Sequence, residues 1–176
     1  MNSTLRILIL LLCCSCLSAC VTGAKSRAMV PADFSLGKQF NKSVGIAVTG
    51  GQKTNPLWMS MVSNEDFADA LQKTIEQHGL FSRVLRSGGA DYQLDVRLVQ
   101  LRQPMFGFNM TVQGEIEWRL RQVSTGKVVW EKHTNKSYTA TVGQAFAGVT
   151  RVRVANEGAI RENIKAALEQ IAALSL

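Results

Sequence analysis

Apolar and polar residues alternate strictly along two segments in the middle of the chain. In residues 92–98 every second side chain is apolar, and the phase then changes at Val99 and Leu101. From Met110 the alternation continues over eleven residues, to Leu120. This period of two predicts antiparallel strands with one buried and one solvated face, and the change of phase predicts a β-bulge near Leu98.

A turn at residues 124–126 is predicted to lead into a further strand over residues 127–138. To place Leu120 opposite Trp130 and Gln122 opposite Val128, the turn must have an odd number of residues. A three-residue turn with Gly126 in the left-handed conformation meets this condition, whereas a two-residue turn would place Leu120 opposite a glutamate.

Two segments show the apolar spacing of amphipathic helices. In the first, Ser63 and Asp66 resemble a capping box ahead of an apolar stripe over residues 67–78, and Gly79 ends the helix. In the second, an apolar stripe runs from residue 160 to residue 174. We expect Asn156 to cap this helix and Glu157 to lie at its positive end, paired with Arg161 on the outer face.

The predicted order is strand, helix, short strand, three long strands, helix, with the first strand at residues 43–48 and the short strand at 83–85. Both apolar helix stripes need a partner, and so does the apolar face of the sheet. The sequence therefore predicts an α+β fold over residues 41–176, a two-layer α/β sandwich with a mostly antiparallel sheet and both helices on one face.

The first forty residues have the pattern of an export signal and a tether. Residues 1–19 follow the order of a signal peptide, with one cation, an apolar run and small residues. The segment 17–20 resembles the bacterial lipobox, in which Cys20 becomes the acylated first residue; the alternative is an ordinary signal peptide with a chance cysteine. Residues 20–40, small, polar and basic, are predicted to be a flexible tether. The lack of an aspartate after Cys20 favours the outer membrane, with the domain facing the periplasm.

The composition, 46% apolar and 19% charged, excludes a disordered chain and a polytopic membrane protein. All four cysteines lie in the first twenty residues, which excludes disulfide and thiolate-metal sites in the folded domain. The net charge is +7. Because the cations alternate with acids and the protein is exported, we expect no nucleic-acid partner. Anionic lipid, lipopolysaccharide or glycan remain open as ligands.

The sequence offers little catalytic chemistry. His78 lies on the predicted buried edge of the first helix, and His133 lies on a strand face beside acidic and polar neighbours. Glu115 and Glu117 share a strand face, but arginines continue that face, as in a solvated ladder of mixed charge. We therefore assign no catalytic, metal or cofactor-binding residue and expect no enzyme; an enzyme would need a cleft lined by Glu115, Glu117 or His133.

Three apolar segments fall in predicted loops. They contain Trp58, then Phe106 and Phe108, then Phe146. These rings either pack against the ends of the sheet or are exposed, and clustered exposure marks a contact with a partner or with lipid. We take the four rings as candidate contact residues.

The lipobox at 17–20, the strand after residue 43, the helix ending at Gly79, the strands 92–138 and the final helix together resemble the YajG-like lipoproteins, and more distantly the LptE-like lipoproteins. The resemblance implies no catalytic residue. The leading hypothesis is a non-enzymatic outer-membrane lipoprotein, lipid-anchored at Cys20, that acts as an envelope accessory or assembly factor through protein-protein contacts. The alternative is a binder or carrier of an anionic lipid, lipopolysaccharide or glycan, for which Arg151, Arg153 and the charged strand face would supply the cations. The oligomeric state stays open.

Overall fold

The computed structural model describes residues 21–55 and 59–176. A short 3-10 helix at Ser26–Met29 precedes five strands and two α-helices. In chain order these are β1 (Phe40–Thr49), α1 (Asn64–Gln77), β2 (Phe81–Leu85), β3 (Tyr92–Arg102), β4 (Met110–Gln122), β5 (Val128–Ala140) and α2 (Gly148–Ala172).

The five strands form one sheet in the order β2-β1-β3-β4-β5. β1 is parallel to both of its neighbours, whereas β3, β4 and β5 pair antiparallel over the longer ladders. Apolar side chains of both helices share one core with the inward-facing residues of the sheet, and Phe67 of α1 meets Trp118 of β4 edge-on, with ring centroids 6.1 Å apart. The predicted α+β fold, with both helices on one face of the sheet, is confirmed.

The bulge and most of the hairpin register are as predicted. The β3–β4 register shifts between Leu98 and Gln100, Leu120 lies opposite Trp130, and Gly126 has a φ of 69°. The pairing of Gln122 with Val128 is wrong, because the register shifts again beyond Leu120 and Val128 pairs with the neighbouring arginine. The amide of Gln122 donates instead to the carbonyl of Lys127 at 2.8 Å, so the turn has four residues, 123–126, and the predicted three-residue turn is wrong.

The first helix has the predicted ends. The Ser63 hydroxyl accepts a hydrogen bond from the amide of Asp66 at 3.0 Å, and Gly79 has a φ of 61° just after the helix. His78 is half-buried: its ring packs at a tilt against Phe34, with centroids 4.2 Å apart, and its Nε2 lies 3.3 Å from the carbonyl oxygen of Pro31. These contacts give His78 a structural role.

The second helix begins at Gly148, two turns before the predicted cap at Asn156. Asn156 is buried inside the helix and its side-chain amide donates to the carbonyl of Ser60 at 2.8 Å. Glu157 is also buried, and its ion pair, at 3.1 Å, is with Arg153 and not with Arg161. The prediction was wrong because apolar residues between 148 and 155 pack on the ends of β4 and β5, and this burial extends the helix.

The segment predicted to be a flexible tether packs on the domain along much of its length. Met29 is fully buried in the core, and the 3-10 helix around it contacts both α1 and α2. The amide of Ala24 donates to Met61 at 3.0 Å, and the amide of Lys25 donates to the carboxylate of Glu157 at 2.9 Å. The tether is therefore corrected: burial of Met29 outweighs the freedom that the small, polar sequence suggests.

A chain of buried hydrogen bonds ties α2 to the sheet. The Trp118 Nε1–H donates to the hydroxyl of Thr134 at 2.8 Å, and that hydroxyl donates to Oδ1 of Asn163 at 2.6 Å. The Asn163 side-chain amide donates to the carbonyls of Gly114 and Ala159. Each polar side-chain atom of Trp118, Thr134 and Asn163 has a hydrogen-bond partner. The network therefore fixes α2 on the sheet and leaves none of these buried atoms unpaired.

Candidate functional site

Exposed apolar side chains concentrate at one end of the domain. Met105, Phe106, Phe108 and Phe146 are each between 86% and 91% exposed. Among the described residues nine large apolar side chains are exposed, and six of them lie in the β3–β4 connection, the β5–α2 connection or the first turn of α2. We call this surface the apolar end: it comprises Met105, Phe106, Phe108, Val142, Phe146 and Val149.

The topology of the sheet brings these connections together. β1 and β3 are parallel, so both strands finish at the same end of the sheet. Antiparallel β4 begins at this end, and β5 finishes there. The connections 50–63, 103–109 and 141–147 therefore leave the sheet at one end. Because the connections are far apart in sequence, only the strand order makes them neighbours.

Arg151, in the first turn of α2, joins two of these connections. It is 8% exposed, and its Nη1 donates to the carbonyl of Ala145 at 2.9 Å and to that of Phe146. Its Nη2 lies 3.4 Å from the carbonyl oxygen of Gly107. One guanidinium thus holds the backbone beside Phe146 against the backbone between Phe106 and Phe108, which brings the three rings onto one surface.

Gly107 lets the two neighbouring rings point outward. Its φ of 148° lies in the range that side chains disfavour, and a Cβ there would stand 3.1 Å from the carbonyl oxygen of Asn109. The bend places Phe106 and Phe108 on the surface, as their exposure shows.

The two connections are free of charge as well as apolar. Residues 103–114 and 137–150 contain no Asp, Glu, Lys or Arg. In the second connection, the amides of Gln144 and Ala145 both donate to the carbonyl of Thr141, and the Thr141 amide donates to Oε1 of Gln144. A surface of this kind loses little hydration energy when it is covered by an apolar partner.

Three of the four candidate contact rings, Phe106, Phe108 and Phe146, lie at the apolar end. Trp58 and Cys20 lie outside the described residues. The sequence offered Arg151 and Arg153 as cations for an anionic ligand, but Arg151 is buried against backbone carbonyls and Arg153 pairs with Glu157. The role of Arg151 in joining the loops left no sequence signal. Sequence reasoning also missed Val142 and Val149. The absence of charged residues over 137–150 was a sequence signal that could have identified them.

The N-terminal segment runs alongside α2 in a regular order. The amide of Lys25 bonds to Glu157, the carbonyl of Ala28 accepts from Arg161 at 2.8 Å, and the Lys38 ammonium donates to the carbonyl of Leu174. The segment therefore runs in the same direction as α2 and the residues that follow it. Followed backward, the segment heads from the middle of α2 towards its N-terminal end, which is the apolar end.

The open face of the sheet carries a ladder of paired charges. Arg97 pairs with Glu117 at 3.2 Å and Arg119 pairs with Glu131 at 2.7 Å, the latter contact raising the pKa of Arg119. A groove of about 400 Å³ runs between these side chains. His133 is exposed on the same face. Since these four charged side chains are paired and exposed, this face matches the expected solvated ladder.

Glu115, the other acid weighed as a catalytic group, pairs with Arg102 at 3.0 Å. Within residues 21–55 and 59–176, no group of three or more His, Cys, Asp and Glu side chains could hold a metal ion. In the same part of the chain, no helix is long and apolar enough to cross a membrane.

One acid with a shifted pKa lies at the other end of the sheet. Asp91, just before β3, accepts hydrogen bonds from the hydroxyl and the amide of Ser43, both at 2.7 Å. These bonds lower the pKa of Asp91. They tie the start of β3 to β1, which is a structural role.

The fold is similar to that of two solved bacterial proteins. A Xanthomonas campestris protein of the DUF330 family superposes with a TM-score of 0.60 at 14% identity, over 81% of this chain and 90% of that one. A hypothetical protein from Chlamydia trachomatis superposes with a TM-score of 0.53 at 8% identity, over 76% and 99% of the two chains. At such identities the likeness establishes the fold alone.

A third structure, a minor lipoprotein from Acinetobacter baumannii, has a TM-score of 0.49 at 10% identity, over 77% of this chain and 93% of that one. A score this low establishes neither fold nor function. No protein-family model and no curated protein sequence matches the chain.

Proposed function

We propose that the protein is a non-enzymatic lipoprotein of the bacterial envelope, anchored by acylated Cys20, and that it acts as an accessory factor by contacting another envelope component through its apolar end. The observation that carries this proposal is the exposure of Met105, Phe106, Phe108 and Phe146 on one surface. Soluble domains rarely leave such a cluster uncovered, because exposed rings cost solubility without adding to the fold.

The anchor is supported by the sequence 17–20, which resembles a lipobox, and by the absence of any later cysteine. In this proposal the outer membrane is the location, and the domain faces the periplasm. A cysteine acylated on its sulfur and its amine is held firmly, because several acyl chains partition together.

The non-enzymatic role is supported by the state of the residues weighed as catalytic. Glu115 and Glu117 are paired with arginines, His133 is exposed on an open sheet, and His78 is packed on Phe34. None of these groups lies in a closed, water-excluding cleft of the kind that tunes an acid or a base.

The carrier alternative requires an apolar cavity under the helices. In the described part of the chain, Phe67, Trp118 and Leu168 are fully buried there and belong to one packed cluster. A filled core of this kind favours a contact surface over a carrier.

Photo-crosslinking in intact cells tests the proposed contact. A photoreactive phenylalanine analogue replaces Phe106 in one strain and, as a matched control, Trp130, which is a half-buried aromatic residue near the opposite end of β5. We expect an adduct, to a protein or to a lipid, at position 106 and none at position 130. Equal yields at the two positions would overturn the proposal. Acyl mass that persists after Cys20→Ala would overturn the anchor.

A further inference from the structure

We propose that the component contacted by the apolar end is the lipid bilayer itself, so that the rings of Phe106, Phe108 and Phe146 enter the boundary between headgroups and acyl chains beside the anchor. This inference rests on the proposed function, since it needs an acylated Cys20. It specifies what covers the apolar end and how the domain is oriented on the membrane.

The first argument is the place where the chain leaves the domain. The amide of Ala24 is bonded to Met61, in the connection 50–63 at the apolar end. Next to it, the carbonyl of Ser60 accepts a hydrogen bond from Gln103, the first residue of the β3–β4 connection. Val21, three residues before Ala24, is therefore close to the start of the loop that carries Phe106 and Phe108.

The second argument is the shortness of the link to the anchor. Four residues separate Cys20 from Lys25, whose amide is fixed on α2 by Glu157. At about 3.5 Å per residue they span at most roughly 17 Å. Over the six residues from Glu157 back to Arg151, the helix rises by about 9 Å. An acylated Cys20 can therefore reach the level of the apolar end, but it cannot hold the domain far from the bilayer.

The third argument is chemical. The bilayer boundary accepts aromatic and aliphatic side chains, but it penalises carboxylates and unpaired backbone groups. The connections that carry the rings contain no charged residue, and the carbonyls of Ala145, Phe146 and Gly107 accept hydrogen bonds from the guanidinium of Arg151. A protein partner would instead be recognised through polar groups at the rim of its contact.

Fluorescence from a single introduced cysteine tests the proposal on the full acylated protein. Once Cys20 carries its lipid, Met105→Cys supplies the one free thiol of the exported chain, and Val128→Cys does so at the opposite end of the sheet. Each variant is labelled with an environment-sensitive dye and reconstituted into vesicles of phosphatidylethanolamine and phosphatidylglycerol at 3:1. Spin-labelled lipid in the same vesicles quenches only dye that enters the bilayer.

We expect strong quenching and a blue shift at position 105 and neither at position 128. Adding Phe106→Ser and Phe108→Ser to the labelled Met105→Cys protein should reduce the quenching severalfold and leave the unfolding temperature unchanged. If the dye at position 105 shows no more quenching and no more blue shift than the dye at position 128, the proposal is overturned. Serine variants that keep the full quenching would also overturn it.

The outcomes separate this inference from the proposed function. If the dye at position 105 is not quenched in vesicles while position 106 crosslinks to a protein in cells, the bilayer assignment is wrong and the proposed contact surface is supported. If position 105 is quenched and position 106 crosslinks to lipid, both stand. If neither quenching nor a crosslink is found, both fall.

Discussion

Replacing Thr134 by valine should destabilise the domain far more than its small change in volume suggests. Thr134 is 5% exposed, and its hydroxyl links the indole of Trp118 to the side chain of Asn163. Valine keeps the shape but has no oxygen. The variant leaves one buried donor on Trp118 and one buried acceptor on Asn163 without a partner.

The magnitude follows from these two groups. An unsatisfied buried polar group costs about 1 to 3 kcal/mol, so for two such groups we expect a loss of about 2 to 6 kcal/mol in the free energy of unfolding. For a domain of this size the unfolding temperature should fall by roughly 4 to 24 °C. Urea denaturation, followed by tryptophan fluorescence and circular dichroism, measures the free energy directly.

Thr139→Val is the matched control. Thr139 lies on the same strand, β5, but it is exposed, and its hydroxyl bonds only to the exposed Thr111, at 2.8 Å. Both variants replace threonine by valine on the same strand, and we expect the control to alter stability by less than about 0.5 kcal/mol. If Thr134→Val matches its control, the hydroxyl does not bridge Trp118 to α2, and the account of how the helix is fixed is wrong.

Three further variants probe other parts of the structure. Gly158→Ala should lower the free energy of unfolding by about 1 to 3 kcal/mol, although alanine favours helix, because the new Cβ would stand 2.7 Å from Cβ of Tyr138 and closer still to its ring. Met29→Ala should cost about 2 to 5 kcal/mol in urea denaturation, since Met29 is fully buried, whereas Met105→Ala should cost almost nothing. The pKa of Asp91 is lower in the folded protein than in the unfolded chain, so its ionised carboxylate stabilises the fold at a pH above its pKa in the unfolded chain. This stabilisation is lost as the pH falls through the pKa of Asp91 in the folded protein. Asp91→Asn should therefore weaken the fall of the unfolding temperature with pH below about pH 4.

Each of these expectations has an outcome that contradicts it. Gly88→Ala is the control for Gly158, because nothing lies within 4 Å of a Cβ there; equal stability of the two variants would refute the close packing of α2 on β5. If the Met29→Ala variant is as stable as the parent protein, the result would support the original prediction of a flexible tether. An unchanged acid profile in Asp91→Asn would show that the bonds from Ser43 do not hold the carboxylate.

The sequence by itself determined the elements whose residues repeat with a fixed period. The alternation over 92–98 and 110–120 predicted β3, the bulge and β4, and Ser63 and Gly79 marked both ends of α1. These signals are local, because a strand or a helix places residues two or four apart on one face. The exposed rings in the connections also left a local signal, since apolar residues replaced the polar residues of ordinary turns.

Only the tertiary structure decided where α2 begins, how the N-terminal segment lies and which loops meet. Asn156 has the residue type of a cap, but the packing of residues 148–155 on β4 and β5 extends the helix past it. Residues 21–39 show no period, yet one methionine fills a space between two helices. The apolar end exists because β3, β4 and β5 are antiparallel neighbours, which brings the connections 103–109 and 141–147 to one end of the sheet. The parallel pairing of β1 with β3 places the start of the connection after β1 at the same end. Such long-range pairing is set by the free energy of the whole core, and no short stretch of sequence contains it.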